Sequence, residues 1–365
     1  MRVRVAVIGA GVDYTHPEIH QALEDGRIVD CKGFPERLDP AQDFEGVGTY
    51  CVSVIMRTMP WVSIYLARVV DEDGRLVKEN RYAATVEVKH RPSMGNILIL
   101  VKAIAWAREQ KADIICIPWG LPKEKTAIYK VVAAARSADV AVFARGPSYR
   151  NGMLRSFPAN SIGNVFCAIS AANASGAAME EKSRYLDEYF HALGVGVPGA
   201  NTSHKGKGKE PLKLEINRDG HSVATCVATG LAAMWIGYIR AYMDADTKIT
   251  IWNVQDFLFL MDQTTTDVFP GSSLTPWSTF GQNRNIKRLI KCLLKWPCIL
   301  PVRGPRFLTN YSNGGTTQFV QHGNERRRSF LADRTHNNSS RGRGRRYDAY
   351  RCGHPLGNRF VSSVY

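Results

Sequence analysis

A chain of 365 residues, 44% hydrophobic and 22% charged, has enough apolar material for one large globular domain with extensions, or for two domains, and is not disordered throughout. Its formal charge of +15 is unevenly placed: nine arginines against two aspartates lie between Arg326 and Arg351, so a surplus of seven comes from a short tail and the body is only mildly basic. Eight cysteines without any paired CxxC spacing exclude a zinc ribbon and a disulfide framework, and favour a reducing compartment. No signal peptide precedes the first strand-like run, because Arg2 and Arg4 interrupt the apolar residues from the start, and an intracellular, cytoplasmic location is expected.

Val3 to Ile8 is a β-branched run that reads as a buried strand entering a tight turn at Gly9-Ala10-Gly11. Gly9 and Gly11 fit the opening of GxGxxG, and Asp30 lies about the right distance on for a ribose contact, so a dinucleotide-binding oxidoreductase is one reading. The third glycine position is Tyr14, which opposes it. Further along, Ser63 to Val69, Ile114 to Ile117, Val140 to Phe143 and Val165 to Ser170 read as strands. A helical pattern begins at Tyr82 to Glu87 and resumes at Ala103 to Ala107. Residues 88–102, with His90-Arg91-Pro92 and Gly95 as breakers, are expected to be an insert, either a surface loop or an intron read through in frame.

The stretch Asp219-Gly220-His221-Ser222-Val223-Ala224-Thr225-Cys226 places a serine after a glycine turn, at the head of a long run of small and apolar residues. A helix opening there puts its free N–H groups and positive dipole end beside the hydroxyl, which suits either an N-cap or a nucleophile whose oxyanion needs N–H donors. Alone, the stretch favours the cap. The run at about Val223 to Ile239 is rich in Ala, Thr and Gly and reads as a buried core helix rather than a membrane span.

Taken in order, several motifs change that balance. Val5-Ala6-Val7-Ile8-Gly9-Ala10-Gly11-Val12-Asp13, followed by His16-Pro17-Glu18, closely resembles the first strand and turn of the subtilisin-like serine peptidases, the subtilases, whose usual form is Val-Ala-Val-Ile-Asp-Thr-Gly-Val-Asp. Asp43-Phe44-Glu45-Gly46-Val47-Gly48-Thr49-Tyr50-Cys51-Val52 stands where that family has Gly-His-Gly-Thr-His-Val-Ala. Ala112 to Gly120 resembles the strand along which substrate backbone pairs. Val140 to Ser148 matches the strand ending in the oxyanion asparagine, Phe157-Pro158-Ala159 the following Tyr-Pro-Ala, and Gly220 to Cys226 the Gly-Thr-Ser-Val-Ala-Thr-Pro around the nucleophile. The resemblance covers roughly residues 3 to 243. It implies an α/β fold with a mostly parallel sheet, helices on both faces and the site at the carboxyl ends of the strands, and Ser222 as the nucleophile position.

The same resemblance implies a dismantled site. Gly9 stands at the aspartate position, Val47 at the histidine position and Ser148, within one residue, at the oxyanion position; Ser222 alone is retained. Loss of the histidine from such a triad costs on the order of a millionfold, and loss of the oxyanion side chain about a hundredfold or more. Little or no peptidase activity is expected. His221, His16, His20 and Asp13 are the residues near enough in sequence to be considered as substitutes, and each reads more simply as structural or solvated. Pro118 removes a backbone donor from the substrate-pairing segment.

The expected organisation is therefore a subtilisin-like domain over 1–243, an irregular extension over 244–309 with short helices at Asp256 to Met261 and Ile286 to Leu294, and a disordered Arg-rich tail over 310–365. The tail's Arg341-Gly342-Arg343-Gly344-Arg345-Arg346 could contact nucleic acid weakly, or be a solvated tail or a misread frame. No cofactor, metal or membrane partner is expected; the expected partner is a peptide or protein.

Overall fold

Val3, Val5 and Val7 turn to one side of the first strand, β1 (Val3–Gly9), and Ala6 and Ile8 to the other, and all five are buried. A strand apolar on both faces belongs in the middle of a parallel sheet covered by helices on both sides. A computed structural model of the chain describes residues 2–71, 76–77, 94–120, 126–146, 167–179, 189–202, 213–243 and 247–262. These all lie in the first of its two units, Met1–Pro305. Ser148, Phe157-Pro158-Ala159, the helical pattern at Tyr82, the expected helix at Ile286 and the tail from Asn310 fall outside the described residues.

The elements follow as α1 (Pro17–Glu24), β2 (Ile28–Gly33), α2 (Val47–Thr58), β3 (Val62–Arg68), α3 (Met94–Glu109), β4 (Ile114–Ile117), α4 (Thr126–Ser137), β5 (Ala141–Arg145), β6 (Cys167–Ala172), β7 (Tyr189–Leu193), β8 (Val197–Ala200), β9 (Glu215–Arg218), α5 (His221–Tyr242) and α6 (Ile251–Asp262). Seven strands form one sheet in the order β2-β3-β1-β4-β5-β6-β7, every pairing parallel, and β8 and β9 form a separate antiparallel pair. One core holds Val3, Val5 and Val7 with side chains of α1, α2, α5 and α6; the other holds Ala6 and Ile8 with side chains of α3 and α4. The expected α/β architecture is thus the observed one.

Three features differ from the sequence expectation. Residues 94–102, read as the end of an insert, form the first part of α3, whose Ile99, Leu100, Ala103 and Ile104 are buried against the sheet. Burial of that apolar stripe outweighs the helix-weakening Gly95, a cost of only about 1 kcal/mol. The helix expected at Asp256 begins earlier, at Ile251, and packs on α5: the Trp235 and Phe257 rings are 4.3 Å apart and nearly parallel. The third concerns the dinucleotide reading. Asp30 lies on the edge strand β2, and β3 stands between it and β1, so the acidic residue is not beside the Gly9–Gly11 turn. Gly11 instead lets the chain pass the 40–42 segment, where a Cβ would come 2.1 Å from the Gln42 carbonyl oxygen.

Helices α1 and α2 are tied by a carboxylate. Glu18 accepts hydrogen bonds from Ser53 Oγ (2.8 Å) and Arg57 Nη2 (2.7 Å), and Arg57 Nη1 also reaches Glu215 at 3.1 Å. Burial alone would raise the Glu18 carboxyl, but the bonds from Arg57 and Ser53 outweigh it and hold the group below its ordinary range. A lowered folded pKa contributes stability above the unfolded value and loses it as pH falls through the folded one. Wild-type protein is therefore expected to lose more unfolding free energy than Glu18→Gln between about pH 7 and about pH 3, read by urea denaturation at each pH. Equal losses in the two proteins would show that this carboxylate is not linked to folding.

Candidate functional site

Two helices start at the carboxyl ends of the strands, and their first residues define the site. Helix α5 opens after Gly220, whose φ of 130° suits glycine and whose N–H bonds to Gly194 O at 2.7 Å. The first main-chain bond of the helix runs from Ala224 N to Gly220 O. The N–H groups of His221, Ser222 and Val223 thus lack intrahelical acceptors and form the positive end of the helix. Ser222 is the second helical residue and half-buried, whereas Gly220 is the N-cap. The reading of Ser222 as an N-cap is therefore corrected; its hydroxyl stands in the first turn, beside N–H donors.

Helix α2 starts at Val47 after Gly46, a left-handed residue with φ of 69°. Asp43 holds this end: its Oδ2 accepts from Thr49 N and Thr49 Oγ1, both at 2.7 Å. Thr49 Oγ1 in turn accepts from Asp13 N at 2.9 Å, and Asp13 accepts through Oδ1 from Thr15 N and Oγ1 and through Oδ2 from Thr202 Oγ1. Both aspartates are buried. Burial raises the Asp43 carboxyl above its ordinary range, with the bonds from Thr49 pulling the other way. Asp13 is thus part of the frame of α2 and is not a displaced triad carboxylate.

The two helix starts are brought to one region by the backbone around them. A Cβ at Gly48 would lie 2.0 Å from Gly11 O, which places the α2 start against the end of β1. Arg218, just before the α5 turn, donates from Nη2 to Glu45 O at 2.9 Å and lies over the Tyr50 ring, reaching the segment that leads into Val47. Gly9 ends β1, and the Trp119 indole packs on it: Trp119 Nε1 donates to Ile8 O at 2.7 Å, and a Cβ on Gly9 would sit 3.7 Å from the ring. The structure therefore assembles Gly9, Val47 and Ser222 from β1, α2 and α5 around one end of the sheet.

No described histidine takes the place of Val47. His221 is buried, and its Nδ1 accepts from Ala171 N at 2.8 Å, binding the α5 turn to β6. His16 caps α1: Nδ1 accepts from Glu18 N, and Nε2 lies 2.9 Å from Leu214 O. His20 is exposed on α1 beside Glu24. His191 is buried within β7, opposite Ser170 of β6. Pro118 follows β4 directly, so that the segment leaving the strand lacks an N–H. Sequence reasoning missed the roles of Arg218 and Trp119, each of which acts through a partner distant in the chain, and that of Asp43, which holds Thr49 six residues on.

Among the described residues no group of three His, Cys, Asp or Glu side chains is arranged to hold a metal ion. One described helix, α5, is long and apolar enough to cross a membrane, and most of its apolar stretch is buried inside the protein. Among the described residues, the arrangement offers a hydroxyl at a helix N-terminus with no histidine in the place of Val47.

Comparison with known proteins agrees with this geometry. The model of the subtilase family matches residues 2–271. The chain is 27% identical over 143 residues to "Intracellular serine protease" of Paenibacillus polymyxa and 26% identical over 151 residues to "Subtilisin E" of Bacillus subtilis (strain 168). These matches take in 38% and 39% of this chain and 40% and 33% of the relatives, well under half the length of either. Among solved structures it is similar to an alanine mutant of the protease domain of PatA, with TM-score 0.54 and 20% identity over 80% of this chain and 95% of that one. It is also similar to a lanthipeptide protease, with TM-score 0.56 and 16% identity over 76% and 87%. At these identities the structural likeness speaks for the fold.

Proposed function

Because the chain belongs to the subtilase family of serine peptidases, we propose that it is a member of that family in which peptide hydrolysis has been lost while the scaffold of the endopeptidase is kept. The observation that carries this reading is Val47 at the start of α2, where the family motif has its histidine. Without an imidazole at Val47 the Ser222 proton lacks the acceptor that the family motif supplies, and without a carboxylate at Gly9 an imidazole would have no orienting partner. Ser222 then has the nucleophilicity of an ordinary hydroxyl. The nicotinamide reading has no support in a sheet that separates Asp30 from β1.

A fluorophosphonate probe tests the proposal. Purified protein is expected to show labelling no greater than Ser222→Ala at any time point, beside an active subtilase as positive control. Time-dependent labelling that Ser222→Ala abolishes would mean that another base activates the serine, and would overturn the reading.

The ligand class that goes with this reading is an extended peptide or protein segment, held with one backbone hydrogen bond fewer because of Pro118. The five described cysteines are all free thiols, which supports a reducing, intracellular setting.

A further inference from the structure

Beneath the half-empty site three thiols meet. Cys51 lies four residues after Val47 in α2, and Cys226 four residues after Ser222 in α5, so each stands one helical turn deeper than its site position. Cys116 lies on β4, two residues before Pro118. All three are within 2% of full burial and belong to the same core. Helix α5 packs on both α2 and β4, and the Cys226 thiol interacts with those of Cys116 and Cys51. One thiol thus neighbours a thiol from each of the other two elements.

We propose that these thiols form a redox-sensitive site in which a small hydroperoxide joins Cys226 to Cys51 or Cys116 as a disulfide. In the first step a cysteine sulfur attacks the peroxide, the O–O bond breaks, and a sulfenic acid and one water form. In the second step the neighbouring thiol displaces the sulfenic oxygen, the S–S bond forms, and the second water leaves. Two thiols lose two electrons and two protons, and the peroxide takes up both. The third thiol can then move the bond by exchange, because it neighbours the same sulfur. The bond would draw two neighbouring sulfurs to about 2.05 Å and fasten α5 to α2 or to β4.

Burial sets the chemistry of the agent. Hydrogen peroxide is close to water in size, whereas maleimides and aromatic disulfides are too large to enter a packed core. Interaction with Cys116 and Cys51, together with burial, holds the Cys226 thiol well above its ordinary range, so thiolate is scarce and the response is slow. Once one sulfur is oxidised its partner is already in place, which replaces an encounter between molecules with one inside the core. Cys31, half-buried beside Tyr14, and Cys167, buried near Arg136, serve as internal controls.

The test is a disulfide map of the full chain. Folded protein is treated with hydrogen peroxide, blocked with N-ethylmaleimide in denaturant, and digested without reduction for mass spectrometry. The expected result is linked peptides joining Cys226 to Cys51 or Cys116, at a yield at least about tenfold above protein oxidised in denaturant. Dithiothreitol should abolish them. Cys51→Ser should send the bond wholly to Cys116, and Cys116→Ser should send it to Cys51. Oxidation at Cys31 with no Cys226 link in the folded wild type, or equal yields in folded and denatured protein, would overturn the proposal. The wild-type map decides this even where a serine variant fails to fold.

Discussion

Replacing Gly9 with Asp, Val47 with His and Ser148 with Asn in one protein is expected to raise hydrolysis of a fluorogenic peptide mixture by at least about a thousandfold over the natural chain, with Ser222→Ala in that background returning it to the baseline. The geometry permits the two substitutions that fall among the described residues, at Gly9 and Val47. Gly9 ends a regular strand with no positive φ, and a Cβ there meets the Trp119 ring at an ordinary 3.7 Å. A carboxylate one atom further out would lie beside the Trp119 indole, whose single N–H stays committed to Ile8 O. Val47 is a half-buried first residue of α2 whose frame rests on Asp43 and Thr49, which the change leaves alone.

Losing the histidine alone costs on the order of a millionfold in subtilisin-type sites, so recovery of a thousandfold allows for an imperfectly oriented ring. Val47→His without Gly9→Asp should recover less, because nothing then fixes the tautomer. No gain in the triple variant, with the fold confirmed by circular dichroism, would mean that the three positions do not form a working triad geometry.

Trp235→Ala is expected to lower the unfolding free energy by about 3–5 kcal/mol, read by urea denaturation. Trp235 has no exposed surface; it stacks on Phe257 with an interplanar angle of 2°, and its Nε1 donates to Asn253 O at 3.3 Å. Truncation leaves a cavity between α5 and α6 that the surrounding rigid helices fill only in part. Phe257→Ala should cost a similar amount, and the double variant less than the sum, because each single change already removes the ring pair. A loss below about 1 kcal/mol for Trp235→Ala would show that α6 is not part of the cooperative core.

Much of the fold could be read from the chain because its central strands are buried on both faces. Val3 to Ile8 and Ile114 to Ile117 are nearly unbroken β-branched runs, and the structure gives β1 and β4 those bounds to within one residue. Strands β7, β8 and β9 were not legible: they are four or five residues long, and β9 is largely exposed, so no run stands out. The start of α3 was obscured by Pro92 and Gly95, since local breakers carry no information about the core waiting for Ile99 and Leu100.

In the site, the order of the motifs pointed to Gly9, Val47 and Ser222. The side chains around them were out of reach. Trp119 acts on a residue 111 positions away and Arg218 on one 173 away, and no local pattern records such a pairing. The Gly9–Gly11 turn left a second reading open for the same reason, because the strand that separates β1 from β2 comes later in the chain.

The chain from Asp43 through Thr49 to Asp13 and Thr202 lies wholly among residues that perform no chemistry. A scaffold secured in this way separates tolerance from vulnerability. Changes at Gly9 or Val47 touch none of its bonds, so a chain can exchange its reactive groups one at a time and still fold, whereas a single apolar substitution at Asp13 would take from the buried Thr202 hydroxyl the carboxylate it donates to. The positions that define an enzyme are here the cheap ones to alter, and the silent ones beside them are not.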